Sequence, residues 1–223
     1  MLAYNHEKFI SKAIESVINQ ETTFNYKLII ANDSSTDQTA QIVQKYAQDY
    51  PDIVKIINNE INQGLTENSK MLYELALELN PKYIATLEGD DYWIDNHKLE
   101  KQVTFMDDKS NTNVVLTCGG FNEFDEENSK FIAISEKFNY VKDNWCELKL
   151  DTILLNWQTK YLTYMIRASV LKEIDLNKFQ YLVDYHLIYE LRNFGKIYFY
   201  SGIFGVYRRH LGGYFGKIND KQR

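Results

Sequence analysis

Between residues 6 and 88 the spacing of apolar residues switches back and forth between a helical and a strand period, and that alternation leaves few folds open. HEKFISKAIESVINQ (6–20) puts Ile10, Ala13, Ile14, Val17 and Ile18 on one helical face, and YKLIIAN (26–32) is an apolar run of strand length. SSTDQTAQIVQKYAQDY (34–50) opens with a capping box from Ser35 to Gln38 and continues as a stripe of Val43, Tyr46, Ala47 and Tyr50. DIVKIINN is the next strand, TENSKMLYELALEL a helix with Met71, Leu72, Leu75 and Leu79 inward, and KYIATL the strand after it. The order β-α-β-α-β predicts an α/β domain: a mostly parallel central sheet flanked by helices, with ligands beyond the carboxyl ends of its strands.

With 223 residues and no Pro/Gly/Ser-rich linker, the chain reads as one domain, 1–223. Its net charge of −6 is the wrong sign for a protein that grips nucleic acid or an anionic membrane. Cys118 and Cys146 stand in no metal-ligand spacing and imply no disulfide framework, so a reducing cytoplasm is the simplest location. No apolar run approaches the roughly 18 residues needed to span a bilayer, and no signal segment follows Met1.

Two acid-bearing segments fall at predicted strand ends. Asp33 closes KLIIAND, and Glu88, Asp90 and Asp91 close KYIATL, so carboxylates far apart in the chain converge on one crevice. Taken alone, Asp33 before SST reads first as a turn and helix cap. The EGDD run differs, because three acids within four residues repel one another unless a cation or several donors offset the charge. A hard divalent ion, Mg²⁺ or Mn²⁺, that completes its shell with substrate phosphate oxygens fits that need. Neither G-x-G-x-x-G nor a P-loop is present to cradle a phosphate, which leaves that task to the metal and points to a nucleotide-diphosphate donor.

At these residues the chain resembles a known family. LEGDDYWIDNHKLEKQV (87–103) is similar to the signature of a bacterial group of family-2 glycosyltransferases with the GT-A fold. AYNHEKFISKAIESVINQ, IIANDSSTDQT, NNEINQGLTEN and VYRRHLGGYFG extend the resemblance in the correct order over most of the chain.

The resemblance implies a nucleotide-sugar half (1–118) and an acceptor and catalytic-base half (119–223). In the first, Ala3, Tyr4, Asn5 and Asp33 match positions that hold the base and ribose, with Asp33 accepting from the uracil imide. Asn62 and Asn68 line the same pocket. Glu88-Gly89-Asp90 stands at the D-x-D motif, with Asp90 the metal ligand, Glu88 nearer the ribose, and Asp91 assisting through water or holding the loop. His210 approaches the metal or diphosphate from the far side, and one of Arg208 and Arg209 adds positive charge there. Asp184 alone would read as an acid favouring a helix N-terminus; the resemblance makes it the general base.

The implied activity is inverting transfer of a sugar from a nucleoside diphosphate, UDP by expectation, to a hydroxyl of a glycan, lipid-linked or protein acceptor in bacterial glycan synthesis. The implied place is the cytoplasm or the inner face of its membrane. Two other classes compete: a metal-dependent phosphohydrolase, which lacks its second acid in NDSST, and a noncatalytic sugar-nucleotide or protein-binding module. Several features read as structural. KIYFYSGIFGVY reads as two buried strands, FDEENSK as a solvated loop, and His6, His97 and His186 as surface residues. Tyr92 and Trp93 suit either a sugar platform or a wall behind the acids. Few apolar residues precede Tyr4, and Asn96 replaces the family's usual proline.

Overall fold

The computed structural model describes residues 1–132, 144–149, 159–182 and 184–213. Val183 and residues 214–216 of the VYRRHLGGYFG segment lie outside them. The elements are β1 (Leu2–Ala3), α1 (Ile10–Ile18), β2 (Leu28–Asn32), α2 (Thr39–Asp49), β3 (Val54–Asn58), α3 (Gly64–Glu78), β4 (Tyr83–Ala85) and β5 (Tyr92–Trp93). There follow α4 (Lys98–Asp107), β6 (Val114–Asp125), β7 (Lys130–Ile132), β8 (Trp145–Glu147), β9 (Met165–Arg167), α5 (Asp184–Leu191) and β10 (Lys196–Arg209). No helix among the described residues is long and apolar enough to cross a membrane.

The alternation forms as the periodicity predicts. Strands β1, β2 and β3 make a parallel sheet in which Leu2 stands opposite Ala31 and Ile30 opposite Ile56. β4 departs from it: Ile84 pairs antiparallel with Ile166 of β9, which places β4 at the edge of a mixed sheet ordered β4-β9-β6-β10-β5. β7 adds to β6 and β8 to β10. Among the described residues the sheets meet at a parallel bridge, Leu2 to Glu88, where the Gly89 N–H donates to the Leu2 carbonyl at 2.8 Å. That seam brings the end of β1 to the acidic run. The expected boundary at 118/119 falls inside β6.

Helix α1 buries Ile10, Ala13, Ile14 and Val17 against Leu28, Ile30, Val43, Leu87 and Trp93. A second cluster joins Leu116, Ile166, Leu187, Leu191 and Phe199 behind the mixed sheet. Each such side chain contributes about 1.5–3 kcal/mol by leaving water, so the framework around the seam is stiff. A cavity of about 940 Å³ between the sheets is lined by apolar residues such as Leu28, Tyr83, Ala85 and Val103, and none of the site acids faces it.

Several local expectations are corrected. The Ser35–Gln38 capping box does not form: Gln38 N–H donates to Glu7 Oε2 at 3.0 Å, and Asp37 Oδ1 accepts from Thr39 N–H at 2.9 Å. Tyr50 and Leu79 are 42% and 46% exposed because each sits just past its helix, and Tyr73 takes the buried position in α3. KIYFYSGIFGVY is one strand, not two, since Ser201-Gly202 is accommodated as an irregularity in the pairing with β6. FDEENSK is a β-hairpin: Phe124 and Asp125 end β6 and Lys130 begins β7, leaving 126–129 as the turn.

Candidate active site

The acids sit on the loop between β4 and β5, held from both sides. Gly89 is pinned to β1, and Arg208 of β10 donates its backbone N–H to Asp91 Oδ1 at 2.8 Å and its Nη1 to the Asp90 carbonyl at 2.7 Å. Ligand atoms of Glu88, Asp90 and Asp91 all lie within 4.8 Å of one another. Asp90 Oδ2 is 3.1 Å from His210 Nε2 and 3.7 Å from His6 Nε2.

Such crowding cannot keep three full charges. Burial, then the charges of Asp90 and Asp184, push Glu88 up to about 8. Asp91 is pushed well up by burial and by its two acidic neighbours. Burial acts on Asp90 in the same direction, yet the hydrogen bond to His210 and the nearby imidazoles outweigh it and hold its carboxyl low. Asp90 therefore carries the charge. The donor set of carboxylates and an imidazole, with Asp91 Oδ2 buried and unpartnered, suits a divalent cation.

Asp184 begins α5, where the Tyr185 N–H donates to its Oδ1 at 3.1 Å. Burial raises its carboxyl to about 6 against the opposing charge of Lys160. The same lysine opposes the rise of Glu88, and Asp184 contributes to that rise, so the three groups lie close enough to feel one another's charge.

A second cluster surrounds Asp33, which is 3% exposed. Asp33 does cap a helix, though not the one that follows it: Oδ1 accepts from Gln63 N–H at 2.8 Å and Oδ2 from Gly64 N–H at 2.9 Å, at the start of α3. Asn59 Nδ2 bridges Asp33 Oδ1 at 2.8 Å and Asn68 Oδ1 at 3.1 Å, while Asn62 Nδ2 donates to the Asp33 carbonyl at 3.0 Å. The Ala3 carbonyl accepts from Asp33 N–H at 2.9 Å, and Asn5, at φ 55°, receives Thr36 N–H on its Oδ1 at 2.8 Å. Tyr4 between them is 44% exposed. Ala3, Tyr4, Asn5, Asp33, Asn62 and Asn68 are thus brought together, and β1 leads from them to the acids.

Arg208 is turned behind the acidic loop. Its Nε pairs with Glu126 at 2.8 Å and its guanidinium lies 4.4 Å from the Tyr92 ring and 5.3 Å from that of Phe9. Tyr92 and Trp93 are 8% and 6% exposed, with Trp93 Nε1 donating to the Leu162 carbonyl at 2.7 Å, so they form a wall and not a sugar platform. His6 is corrected from surface to site, and His186 is corrected too: its Nδ1 is buried and its ring stacks on Phe179 at 5.6 Å. His97 is exposed as expected. Sequence reasoning missed His6, Asn59 and Lys160. The signal for His6 was its place directly after Tyr4-Asn5.

The model of the family described as glycosyl transferase family 2 matches residues 1–211. An uncharacterised protein of Mycobacterium tuberculosis is 31% identical over 215 residues, 95% of this chain and 58% of its own length. The Escherichia coli protein named UDP-Glc:alpha-D-GlcNAc-diphosphoundecaprenol beta-1,3-glucosyltransferase WfgD is 33% identical over 147 residues, 64% of this chain and 52% of its own length. This chain therefore spans less than two thirds of such relatives. Among solved structures, Staphylococcus aureus TarS in complex with UDP-GlcNAc superimposes with a TM-score of 0.71 at 19% identity, covering 97% of this chain and 59% of TarS. GalNAc-T7 with UDP, GalNAc and Mn²⁺ does so with 0.66 at 12%, covering 95% and 43%. A GT-A fold, carboxylates at the strand ends and a family match from residue 1 to 211 agree: the chain belongs to glycosyl transferase family 2.

Proposed function

We propose that the chain transfers a sugar from a nucleoside diphosphate, with UDP as carrier, to a hydroxyl of a glycan, lipid-linked or protein acceptor, inverting the anomeric centre. The observation that carries this is the cluster of Glu88, Asp90 and Asp91, with ligand atoms within 4.8 Å of one another, whose Glu88 feels the charge of Asp184; that supports a cation site with a carboxyl of suitable basicity nearby. The UDP-sugars in the names of WfgD and of the TarS complex support the choice of carrier. The cytoplasm, or the inner face of its membrane, is where such a donor would be met.

Ala3, Tyr4, Asn5, Asp33, Asn62 and Asn68 hold the base and ribose, while Glu88, Gly89 and Asp91 border the ribose and diphosphate. A Mn²⁺ or Mg²⁺ ion held by Asp90 and His210 would act as a Lewis acid on the leaving diphosphate. Arg208 fixes the loop that presents Asp90 and adds positive charge behind it. The acceptor oxygen bonds to the anomeric carbon as the bond to the diphosphate breaks, and Asp184 takes the hydroxyl proton. Burial holds Asp184 near 6, so it is ionised at neutral pH and a stronger base than an ordinary carboxylate.

Calorimetric titration with UDP, with and without Mn²⁺, tests the donor site. Metal-dependent binding that disappears in Asp90→Ala is the expected result. UDP binding that ignores both metal and mutation would overturn the cation role, and donor binding with no transfer to any acceptor would favour a noncatalytic binding module.

A further inference from the structure

His6 is half-buried at the acidic loop, its side chain 15% exposed, without a hydrogen bond to either ring nitrogen. Its Nδ1 is sealed from solvent and unpartnered, and its Nε2 stops 3.7 Å from Asp90 Oδ2, beyond hydrogen-bonding length. Nδ1 lies against Gly89, which leaves Nε2, on the Asp90 side, as the nitrogen able to form a ligand bond to an ion. The ring is not there by accident of packing. The His6 N–H donates to Thr39 Oγ1 at 2.8 Å, and its carbonyl accepts from the N–H groups of Phe9 and Ile10, at 2.8 Å each, as α1 begins. Space for the ring depends on Gly89, where a Cβ would come within 2.8 Å of His6 Nδ1.

His210 approaches the same carboxylate oxygen from another strand. Its Nε2 lies 3.1 Å from Asp90 Oδ2, and the two imidazoles meet edge to face with centroids 6.5 Å apart. Adjacent ligands on a cation with bonds near 2.1 Å are separated by about 3 Å. Asp90 and His210 already have that separation, and His6 needs a shift of roughly 0.7 Å to match it.

We propose that His6 is a further ligand of the cation, so that Asp90 is flanked by two imidazoles on the metal. The proposal rests on the cation site described above and adds a residue to it. Two imidazoles favour borderline ions over Mg²⁺, which prefers oxygen, so the site selects Mn²⁺ or a later transition metal.

Mn²⁺ bound to the full chain, followed by pulsed electron-spin-echo spectroscopy, counts the imidazole nitrogens directly. The expected spectrum shows two coupled imidazoles in the wild-type protein and one in each of His6→Asn and His210→Asn. Mn²⁺ affinity by calorimetry should fall at least about tenfold in His6→Asn, with a smaller change for Mg²⁺. The wild-type count does not depend on any variant folding. One imidazole in the wild type, unchanged in His6→Asn, would remove His6 and leave the cation site standing. No Mn²⁺ bound by the wild type would overturn both.

Discussion

Arg208 donates its backbone N–H to Asp91 Oδ1 at 2.8 Å across 117 residues of sequence, tying the last strand to the acidic loop. The Asp91 carboxyl is fully buried and driven towards its neutral form, and its Oδ1 accepts that hydrogen bond while Oδ2 stays unpartnered at the acidic cluster. Asp91→Ala leaves a buried N–H unpaired and should lower stability by about 1–3 kcal/mol. Asp91→Asn keeps an acceptor and should lose much less. Urea midpoints of both variants decide the matter; equal losses would mean that the acid's charge, not its acceptor oxygen, holds the loop.

Asp184 predicts a pH dependence. With a folded value near 6, the base is protonated and idle in acid, so the transfer rate at saturating donor should rise with pH and level off above about 7. The stability effect has the opposite sense. Because burial raises this carboxyl above its unfolded value of 3.8, folding is favoured most while the group is protonated in both states. The cost of ionising it appears as pH rises through 4 to 6, amounting to roughly 3 kcal/mol at about 1.4 kcal/mol per unit. Asp184→Asn should therefore abolish transfer, retain UDP binding, and melt no lower than wild type at pH 8. Transfer by Asp184→Asn at the wild-type rate would assign the base elsewhere.

The fold was legible where burial follows a simple period. Ile10, Ala13, Ile14 and Val17 are buried as spaced, and β2 and β3 pair in parallel as the alternation requires. Periodicity carries no information about which edge a strand takes, so the antiparallel pairing of β4 with β9 could not be read from KYIATL. Capping chemistry was read too locally: Asp37 and Glu7 satisfy the N-terminal amides of α2, and Asp33 serves a helix thirty residues on. The resemblance brought together Asp33, Asn62 and Asn68, and likewise Asp90 and His210. His6 escaped because Asp90, 3.7 Å from its Nε2, has no relation to it in ligand spacing along the chain.

Asp33 should prove structural as well as functional. Its two oxygens accept from the first amides of α3 and from Asn59, so Asp33→Ala removes a helix cap and leaves buried donors unpaired. A loss of about 2 kcal/mol or more is expected, read from denaturant midpoints at constant m-value. Asp33→Asn retains one acceptor oxygen and should fall between. If Asp33→Ala weakened UDP binding at unchanged stability, the cap would be dispensable and the residue's role confined to the nucleotide.

Gly89 joins the fold to the chemistry most tightly, and a single methyl group there tests the seam between the sheets. A Cβ would lie 2.6 Å from Ile10 Cδ1, 2.8 Å from His6 Nδ1 and 3.0 Å from the Leu2 carbonyl oxygen. The isoleucine end can yield, but the Leu2 carbonyl belongs to β1 and accepts the Gly89 N–H, so the loop itself must retreat. Overpacking of this kind costs about 1–3 kcal/mol. Retreat carries Asp90, one residue on, away from His210. Gly89→Ala should therefore weaken Mn²⁺ binding more than Ser does at an exposed control such as Asn128, and calorimetry on folded protein measures it. Unchanged Mn²⁺ affinity, with stability lowered, would show that the loop absorbs the methyl group without moving Asp90, and the link between seam and cation would be lost.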